Sequence, residues 1–296
     1  MRPVESDLAM KRCAAWIAAA CLAVTIAGAA EAQNSPAAEP AARTAKPAAQ
    51  GYAGFDKNLY PGDNLLPALR KTFAFTGYWL NDPPGMTTNP WARNRAAIRA
   101  AGFGFLLLFN GRLDKALRGQ DAAALGRADA ARAVAAARRE EFTAGATIFL
   151  DQEEGGTLLP EQAAYMGAWI AGVRRAGFAA GVYCSGIPVA NGTGRRSTAD
   201  DVAARFPHAK LWVWDDRCPP APGCVVPRPA VSPDQSGYPQ AEVWQYAVTP
   251  RKKLDSAACA ATYASDGACY APGLPHSEAT FVDLDVSRTP DPSRGR

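Results

Sequence analysis

Acidic residues stand at the ends of short apolar runs in this 296-residue chain. Asp56 ends the first run and Asp151 ends the fourth, with Glu153 two residues later, whereas Asp283 and Asp285 lie in the last run. Because residues i and i+2 of a strand point the same way, each such pair can face one site. Carboxylates held close together leave a protonated acid beside an ionised base, the pair that glycoside hydrolysis uses. The predicted catalytic residues are Glu153, Asp151, Asp56 and Asp283.

Two other interpretations of the acidic residues stay open. Clustered carboxylates can bind Ca²⁺, and they can also form a structural network with arginines. Glu154, next to Glu153, is an alternative candidate that we expect to face away from the site or to lie in a loop. No motif indicates a nucleotide cofactor, and we predict neither a cofactor nor a resident metal ion.

Aromatic residues stand late in the same apolar runs. Exposed rings at the end of a barrel are good platforms for the apolar faces of sugars, whereas any single ring can equally be part of the core. We predict a substrate-binding set that joins these rings to one of the acids. Its members are Tyr183, Trp244, Tyr246, Trp79, Trp214 and Asp285.

Eight apolar runs alternate with helix-like segments. The runs are Tyr52–Asp56, Phe73–Leu80, Phe103–Phe109, Thr147–Asp151, Ala180–Cys184, Leu211–Trp214, Val243–Tyr246 and Thr280–Val286. Continuous apolar runs are typical of strands buried on both faces. The pattern predicts an α/β fold, a single (β/α)₈ barrel of the TIM type, irregular in its last third. A doubly wound open sheet is less favoured, because no glycine-rich nucleotide loop follows the first run. Active sites of such barrels lie at the carboxyl ends of the strands.

The N-terminus has the features of a signal peptide. Lys11 and Arg12 precede an apolar run that ends in Ala30-Glu31-Ala32, which predicts cleavage after Ala32 and a secreted or periplasmic protein. A membrane anchor is the alternative, and no later segment is long and apolar enough to span a bilayer. Met1 and Met10 both remain possible starts. The predicted organisation is signal peptide 1–32, Ala/Pro-rich linker 33–50, barrel 51–286 and polar tail 287–296.

Four cysteines lie in two loop-like segments. In an oxidising compartment we expect disulfides Cys218–Cys224 and Cys259–Cys269, each closing a short loop. A zinc site built from the four is the alternative. Cys184 lies in an apolar run and is predicted to be a buried free thiol.

Composition excludes several functional classes. The chain is 48% hydrophobic with a formal net charge of +4, which is typical of a globular protein and not of a disordered one. No block of five or more Lys or Arg occurs, so nothing indicates a nucleic-acid partner.

Short motifs in this order resemble the strand motifs of family 25 glycoside hydrolases, which are secreted muramidases with a (β/α) barrel. The motifs are Gly54-Phe55-Asp56, Phe149-Leu-Asp-Gln-Glu153, Gly181-Val-Tyr-Cys-Ser185, Trp244-Gln-Tyr246 and Val282-Asp-Leu-Asp285. The whole is more similar still to a group of glycoside-hydrolase-like domains of exported bacterial proteins, and the stretch from Gly119 to Ala137 looks similar to that group.

The resemblance implies roles for individual residues. Glu153 would be the general acid, Asp151 the charge partner that orients the substrate N-acetyl group or the intermediate, and Asp56 and Asp283 the rest of an acidic floor. We therefore expect an exported glycosidase that acts on a cell-wall glycan such as peptidoglycan. The alternative is a glycan-binding or cell-envelope module without catalysis on the same barrel. Oligomeric state is not indicated.

Overall fold

Eight strands close into a barrel in the computed structural model, which describes residues 50–216, 223–248 and 269–296. The barrel strands are β1 (Tyr52–Asp56), β2 (Phe75–Trp79), β3 (Gly104–Asn110), β4 (Thr147–Asp151), β5 (Ala179–Ser185), β8 (Lys210–Trp214), β9 (Ala241–Ala247) and β10 (Asp283–Ser287). Between β5 and β8, β6 (Val189–Asn191) and β7 (Gly194–Arg196) form a separate hairpin. The predicted eight-stranded α/β barrel is therefore confirmed. The predicted apolar runs coincide with the observed strands, because a continuous apolar run indicates a strand that is buried on both faces, as β3 is.

Helices cover the barrel in its first two thirds. They are α1 (Leu66–Leu69), α2 (Arg95–Ala100), α3 (Asp114–Leu117), α4 (Ala122–Arg139), α5 (Pro160–Arg175) and α6 (Thr198–Arg205). The Asp121 side chain caps α4 by accepting from Ala124 N at 2.8 Å, and α5 begins with a proline. The two long helices, α4 and α5, approach each other closely at Gly126. A Cβ at this position would lie only 2.2 Å from the backbone oxygen of Tyr165.

The last third of the barrel is irregular, as predicted. Beyond β8, the helices among the described residues are two short 3₁₀ turns, Pro233–Ser236 and Glu278–Thr280. Seven strands run parallel, whereas β10 is antiparallel to both of its neighbours, β1 and β9. The TIM-type expectation of eight parallel strands does not extend to β10, since an apolar run carries no information about its direction. In this arrangement the first residue of β10, Asp283, pairs with the last residue of β1, Asp56.

The C-terminal residues pack against the amino-terminal end of the barrel. Ser293 is fully buried, its backbone N donates to Phe105 O at 2.8 Å, and its Oγ accepts from Leu107 N at 2.8 Å. Asp291 accepts from Phe105 N at 2.8 Å and Thr147 N donates to Ser293 O at 2.8 Å. The segment predicted as a polar tail, 287–296, is therefore part of the folded barrel, and its first residue belongs to β10. Its polar side chains satisfy backbone N–H groups of β3, and the backbone oxygen of Ser293 satisfies the first N–H of β4.

The disulfide pairing predicted from the sequence is wrong. Cys224 is bonded to Cys269, with their Cα atoms 5.2 Å apart and a sequence separation of 45. The two cysteines lie on loops next to β8 and β10, strands that flank β9, so spatial proximity outweighs proximity along the chain. Cys218 and Cys259, the other members of the expected pairs, lie outside the described residues. The prediction for Cys184 is confirmed, since it is a buried free cysteine.

The predicted signal peptide and all but the last residue of the predicted linker lie outside the described residues. Within the part of the chain that is described, no helix is both long and apolar enough to cross a membrane.

Candidate active site

A cavity of about 300 Å³ opens at the carboxyl ends of the parallel strands. All four predicted catalytic carboxylates contribute to its wall. Its lining residues are Asp56, Asn58, Trp79, Leu108, Asp151, Gln152, Glu153, Tyr183, Ser185, Trp212, Trp214, Gln245, Val248 and Asp283. Asp56 and Asp151 end β1 and β4, Glu153 lies just beyond β4, and Asp283 begins the reversed strand β10. The structure thus brings the four acids together, and their catalytic role remains a prediction.

Asp151 is the most strongly perturbed acid of the cavity wall. It is 4% exposed, and neither carboxyl oxygen has a hydrogen-bond donor among the described residues. Burial, followed by the charges of Glu153 and Asp56, raises the pKa of Asp151 well above its usual range. A Glu153 carboxylate can only accept, so the contact between the two side chains favours a proton on Asp151.

Glu153 lies at the rim of the cavity, where its side chain is exposed. Partial desolvation raises the pKa of Glu153, and the hydrogen bond from Asp151 opposes that increase. The two groups titrate as one pair that shares a proton. Since Asp151 is shielded and Glu153 is exposed, the proton of this pair can reach a ligand through Glu153.

Asp56 forms a second carboxylate pair with Asp285. Burial raises the pKa of Asp56 to about 6, although hydrogen bonds from Asp285 and Gln245 lower it. Gln245 Nε2 donates to Asp56 Oδ2 at 2.8 Å. Space for the aspartate exists because residue 77 is glycine, where a Cβ would lie 2.7 Å from the Cβ of Asp56.

Asp285 supports this pair from inside the barrel and does not line the cavity. It is fully buried, pairs in register with Gly54, and its Oδ1 accepts from Trp212 Nε1 at 3.0 Å. Burial, followed by the charge of Asp56, raises the pKa of Asp285 well above its usual range. Asp285 is thus separated from the cavity, and its predicted contact with substrate receives no support.

The predicted aromatic residues divide into two groups. Trp79, Tyr183 and Trp214 line the cavity, as expected for a sugar platform. Trp244 and Tyr246 do not, because both are buried and Trp244 Nε1 donates to the backbone oxygen of Asp215 at 2.9 Å. Strand alternation turns both rings away from the cavity, so their predicted contact with substrate receives no support.

Gln245, between those two residues, is the functional side chain that the sequence analysis missed. Tyr183 Oη donates to Gln245 Oε1 at 2.6 Å, and the amide group of Gln245 donates onward to Asp56. Burial, followed by the surrounding carboxylates, raises the pKa of Tyr183, which keeps its hydroxyl protonated as the donor. Alternation within Trp244-Gln-Tyr246 is the signal that could have identified Gln245. Trp212 also lines the cavity and was not predicted from the sequence. The centroid of its ring lies 4.5 Å from that of Tyr183.

Glu154 has a structural position. Its Oε2 accepts from Asp114 N at 2.7 Å and from Gln162 Nε2 at 2.6 Å. These bonds tie the loop that carries Glu153 to α3 and to α5. Glu154 does not line the cavity, so the alternative that it replaces Glu153 in the site receives no support.

A cation site receives no support from the side chains that the structure describes. Among those residues, no group of three or more His, Cys, Asp or Glu side chains is arranged to hold a metal ion. Three of the cavity acids, Asp56, Asp151 and Glu153, interact electrostatically, and Asp285 interacts with Asp56 from behind the cavity.

Comparison with known proteins places the chain in a family. Residues 75–235, more than half of the chain, match the family described as the Rv2525c-like, glycoside hydrolase-like domain. The chain belongs to this family. As the sequence motifs suggested, it is a glycoside-hydrolase-like barrel. Comparison with curated proteins finds no match.

Solved structures resemble this Rv2525c-like chain at low sequence identity. An uncharacterized protein of B. stearothermophilus is 21% identical, with a TM-score of 0.49 over 80% of this chain and 96% of its own. The Tat-secreted protein Rv2525c of Mycobacterium tuberculosis is 13% identical, with a TM-score of 0.48 over 80% and 95%. The spore cortex lytic enzyme SleM of Clostridium perfringens is 14% identical, with a TM-score of 0.48 over 81% and 68%.

Proposed function

We propose that this protein is an exported glycosidase that hydrolyses a cell-wall glycan of the peptidoglycan type by carboxylate acid–base catalysis. The observation that carries the proposal is the Asp151–Glu153 pair. A shielded acid with a raised pKa stands beside an exposed acid at the rim of a cavity that rings also line. Glycosidases need such a raised-pKa acid together with an ionisable partner.

Glu153 acts as the general acid in this proposal. It donates a proton to the oxygen of the glycosidic bond that breaks, and the Asp151 side chain beside it stabilises the charge left on Glu153. Water then adds to the ring carbon and gives its proton to Glu153, which restores the acid. Asp56 is the second carboxylate of the reaction. Above its pKa of about 6 it is ionised, and its negative charge can stabilise the positive charge that develops on the sugar ring. Gln245 positions Asp56, and Asp283 adds to the acidic wall.

Three rings of the cavity supply the surface for the sugar. Trp79, Tyr183 and Trp214 combine apolar faces with a limited number of polar groups, the composition that ligand cavities share.

Export is part of the proposal. The N-terminal basic and apolar segments with Ala30-Glu31-Ala32 support it, and so does the Cys224–Cys269 disulfide, because such bonds persist mainly in oxidising compartments.

The test is hydrolysis of purified peptidoglycan by the mature protein and its Glu153→Gln variant, with new reducing ends detected by mass spectrometry. We expect muropeptide products from the wild type and a loss of at least about 100-fold in the variant, because general acid catalysis contributes about that much. Glu161→Gln, the same change at the start of α5, is the matched control and should retain activity.

Two results would contradict the proposal. Equal rates for wild type and Glu153→Gln would remove Glu153 from the chemistry. The absence of products from every variant, with peptidoglycan binding that survives Glu153→Gln and is lost on Trp214→Ala, would instead support the module that binds glycan without cutting it.

A further inference from the structure

A second cavity, of about 670 Å³, lies on the flank of the barrel between α4 and the segment that follows β2. It begins beside the candidate active site. Its wall includes Asn81 and Asn110, which stand two residues beyond Trp79 and Leu108 of the first cavity. The two cavities are therefore neighbours at the ends of β2 and β3.

Three arginines line this second cavity, which we call the arginine groove: Arg112, Arg132 and Arg139. Arg132 and Arg139 are seven residues apart on α4, which places them on one helix face. Between them the same face carries Ala135 and Ala136, whose small side chains leave the floor of the groove open.

One buried acid already engages part of this positive charge. Asp129 is 1% exposed and accepts from Arg112 Nε at 2.6 Å, from Arg112 Nη2 at 3.1 Å and from Tyr165 Oη at 2.9 Å. Arg132 also reaches Asp129. Although burial opposes it, these hydrogen bonds lower the pKa of Asp129, so the group is ionised.

The remaining guanidinium groups face the groove and solvent. A guanidinium has five N–H donors, and Arg132 uses one of its nitrogens on Asp129. Arg139 has a single ion pair, with Glu140 at 3.8 Å. The side chains of Arg132 and Arg139 are 63% and 64% exposed. Asp82 is the other acid in the wall, so the arginines outnumber the acids by three to two.

The composition of the groove differs from that of the active-site cavity. The described residues of its wall include neither Trp nor Tyr, the rings that suit the faces of neutral sugars. Arginine forks match the planar or tetrahedral geometry of carboxylates and phosphates, which they bind through paired hydrogen bonds. The groove is therefore chemically suited to an oxyanion.

We propose that the arginine groove binds an oxyanion substituent, a carboxylate or a phosphate, of the polymer whose glycan enters the active-site cavity. This inference rests on the proposed function. The stem peptides of peptidoglycan supply carboxylates, and the polymers attached to it supply phosphates. In either case the groove holds the part of the substrate that is not cut, next to the part that is.

The experiment measures binding of soluble probes to the full protein by titration calorimetry. The probes are a muropeptide with free stem carboxylates, the same muropeptide with those carboxylates amidated, and a short poly(glycerol phosphate). Arg132→Gln/Arg139→Gln is compared with Arg174→Gln/Arg175→Gln, which removes two exposed charges from the end of α5. In Arg132→Gln/Arg139→Gln, Asp129 retains its hydrogen bonds from Arg112 and Tyr165. A thermal unfolding curve checks that this variant is folded. Arg139→Gln alone serves if the double variant unfolds.

We expect one of the two anionic probes to bind the wild type. Arg132→Gln/Arg139→Gln should weaken that binding about tenfold or more, as expected for lost charged hydrogen bonds, whereas the α5 variant should change it less than about twofold. A preference for the free over the amidated muropeptide identifies the carboxylate source, and a preference for poly(glycerol phosphate) identifies the phosphate source.

Equal weakening by both double variants would overturn the inference, because it would show a response to overall charge. Failure of both anionic probes to bind the wild type would overturn it as well. Failure of the proposed function is seen separately: Glu153→Gln and wild type would then hydrolyse peptidoglycan equally, while binding of the anionic probe would still depend on Arg132 and Arg139.

Discussion

Replacing Asp56 by asparagine should stabilise the protein while it abolishes the proposed hydrolysis. Asp56 is 5% exposed, and its pKa rises from 3.8 to about 6 on folding. A shift of about 2 units corresponds to roughly 3 kcal/mol at 1.36 kcal/mol per unit. Asparagine carries no charge, and its carbonyl oxygen can still accept from Gln245 Nε2. The variant therefore loses the cost of the buried charge and keeps the hydrogen bond.

The sign of the effect depends on pH. Because the folded state holds the proton more tightly than the unfolded state, wild-type stability falls as pH rises between 3.8 and about 6. Above about pH 6 the whole cost is present, and below 3.8 it is absent. Asp56→Asn should thus unfold with a free energy up to about 3 kcal/mol greater than wild type at pH 7.5, and with a similar free energy near pH 3.5.

Urea unfolding of both proteins at several pH values tests this reasoning. At 2–4 °C per kcal/mol for a domain of this size, thermal unfolding should show an increase in Tm of about 6–12 °C at pH 7.5. Asp82→Asn, at an exposed acid, is the matched control and should change little at any pH. An equal stability of Asp56→Asn and wild type at pH 7.5, or a gain that does not vary with pH, would refute the assignment of a buried charge to Asp56.

Three further predictions concern the supports of the site and of the barrel. Glu154→Ala should lower kcat on peptidoglycan by about tenfold or more by loosening the loop that carries Glu153, whereas Glu154→Gln, which keeps an acceptor, should lose less. Equal loss in both would contradict a positioning role. Cys269→Ser should lower the free energy of unfolding by about 4 kcal/mol, the value for a 45-residue loop, and reduction of wild type should give the same midpoint in denaturant. Deleting 291–296 removes at least four hydrogen bonds to the barrel and should cost roughly 2–6 kcal/mol by urea unfolding. An unchanged midpoint would mean that these contacts do not stabilise the barrel.

The strands were predictable because their signal is local. β1 and β4 have the bounds read from the sequence, since each is a short apolar run that ends in an acid. Those same acids identified the mouth of the barrel, because a charge at the end of a buried strand needs solvent or a partner. The positions of Asp56 and Asp151 followed from this argument without any knowledge of the fold around them.

The disulfide pairing and the direction of β10 were not predictable, because both depend on contacts between distant parts of the chain. Cys224 pairs with Cys269 because neighbouring strands bring their loops together, which spacing along the chain does not show. The direction of β10 depends on how it fits between β1 and β9. Gln245 was missed for a different reason. The aromatic residues on either side of it were assigned to the site, whereas strand alternation places Gln245 there.

The reversal of β10 determines how many acids the mouth contains. In a strand parallel to β1, the first residue would lie at the amino-terminal end, far from Asp56. Because β10 runs the other way, Asp283 lies opposite Asp56 and Asp285 lies one layer deeper. Asp285 is fully buried, and burial is the largest cause of its raised pKa.

The site consequently contains two pairs of the same kind. In each pair the more deeply shielded acid, Asp151 or Asp285, has a pKa well above its usual range and can donate to its neighbour. The neighbours, Glu153 and Asp56, line the cavity, and so does Asp151, whereas Asp285 does not. Each shielded acid lowers the pKa of its neighbour while its own pKa is raised, which separates the titration of the two members. Any pH dependence of turnover will therefore report the two pairs and not four separate residues.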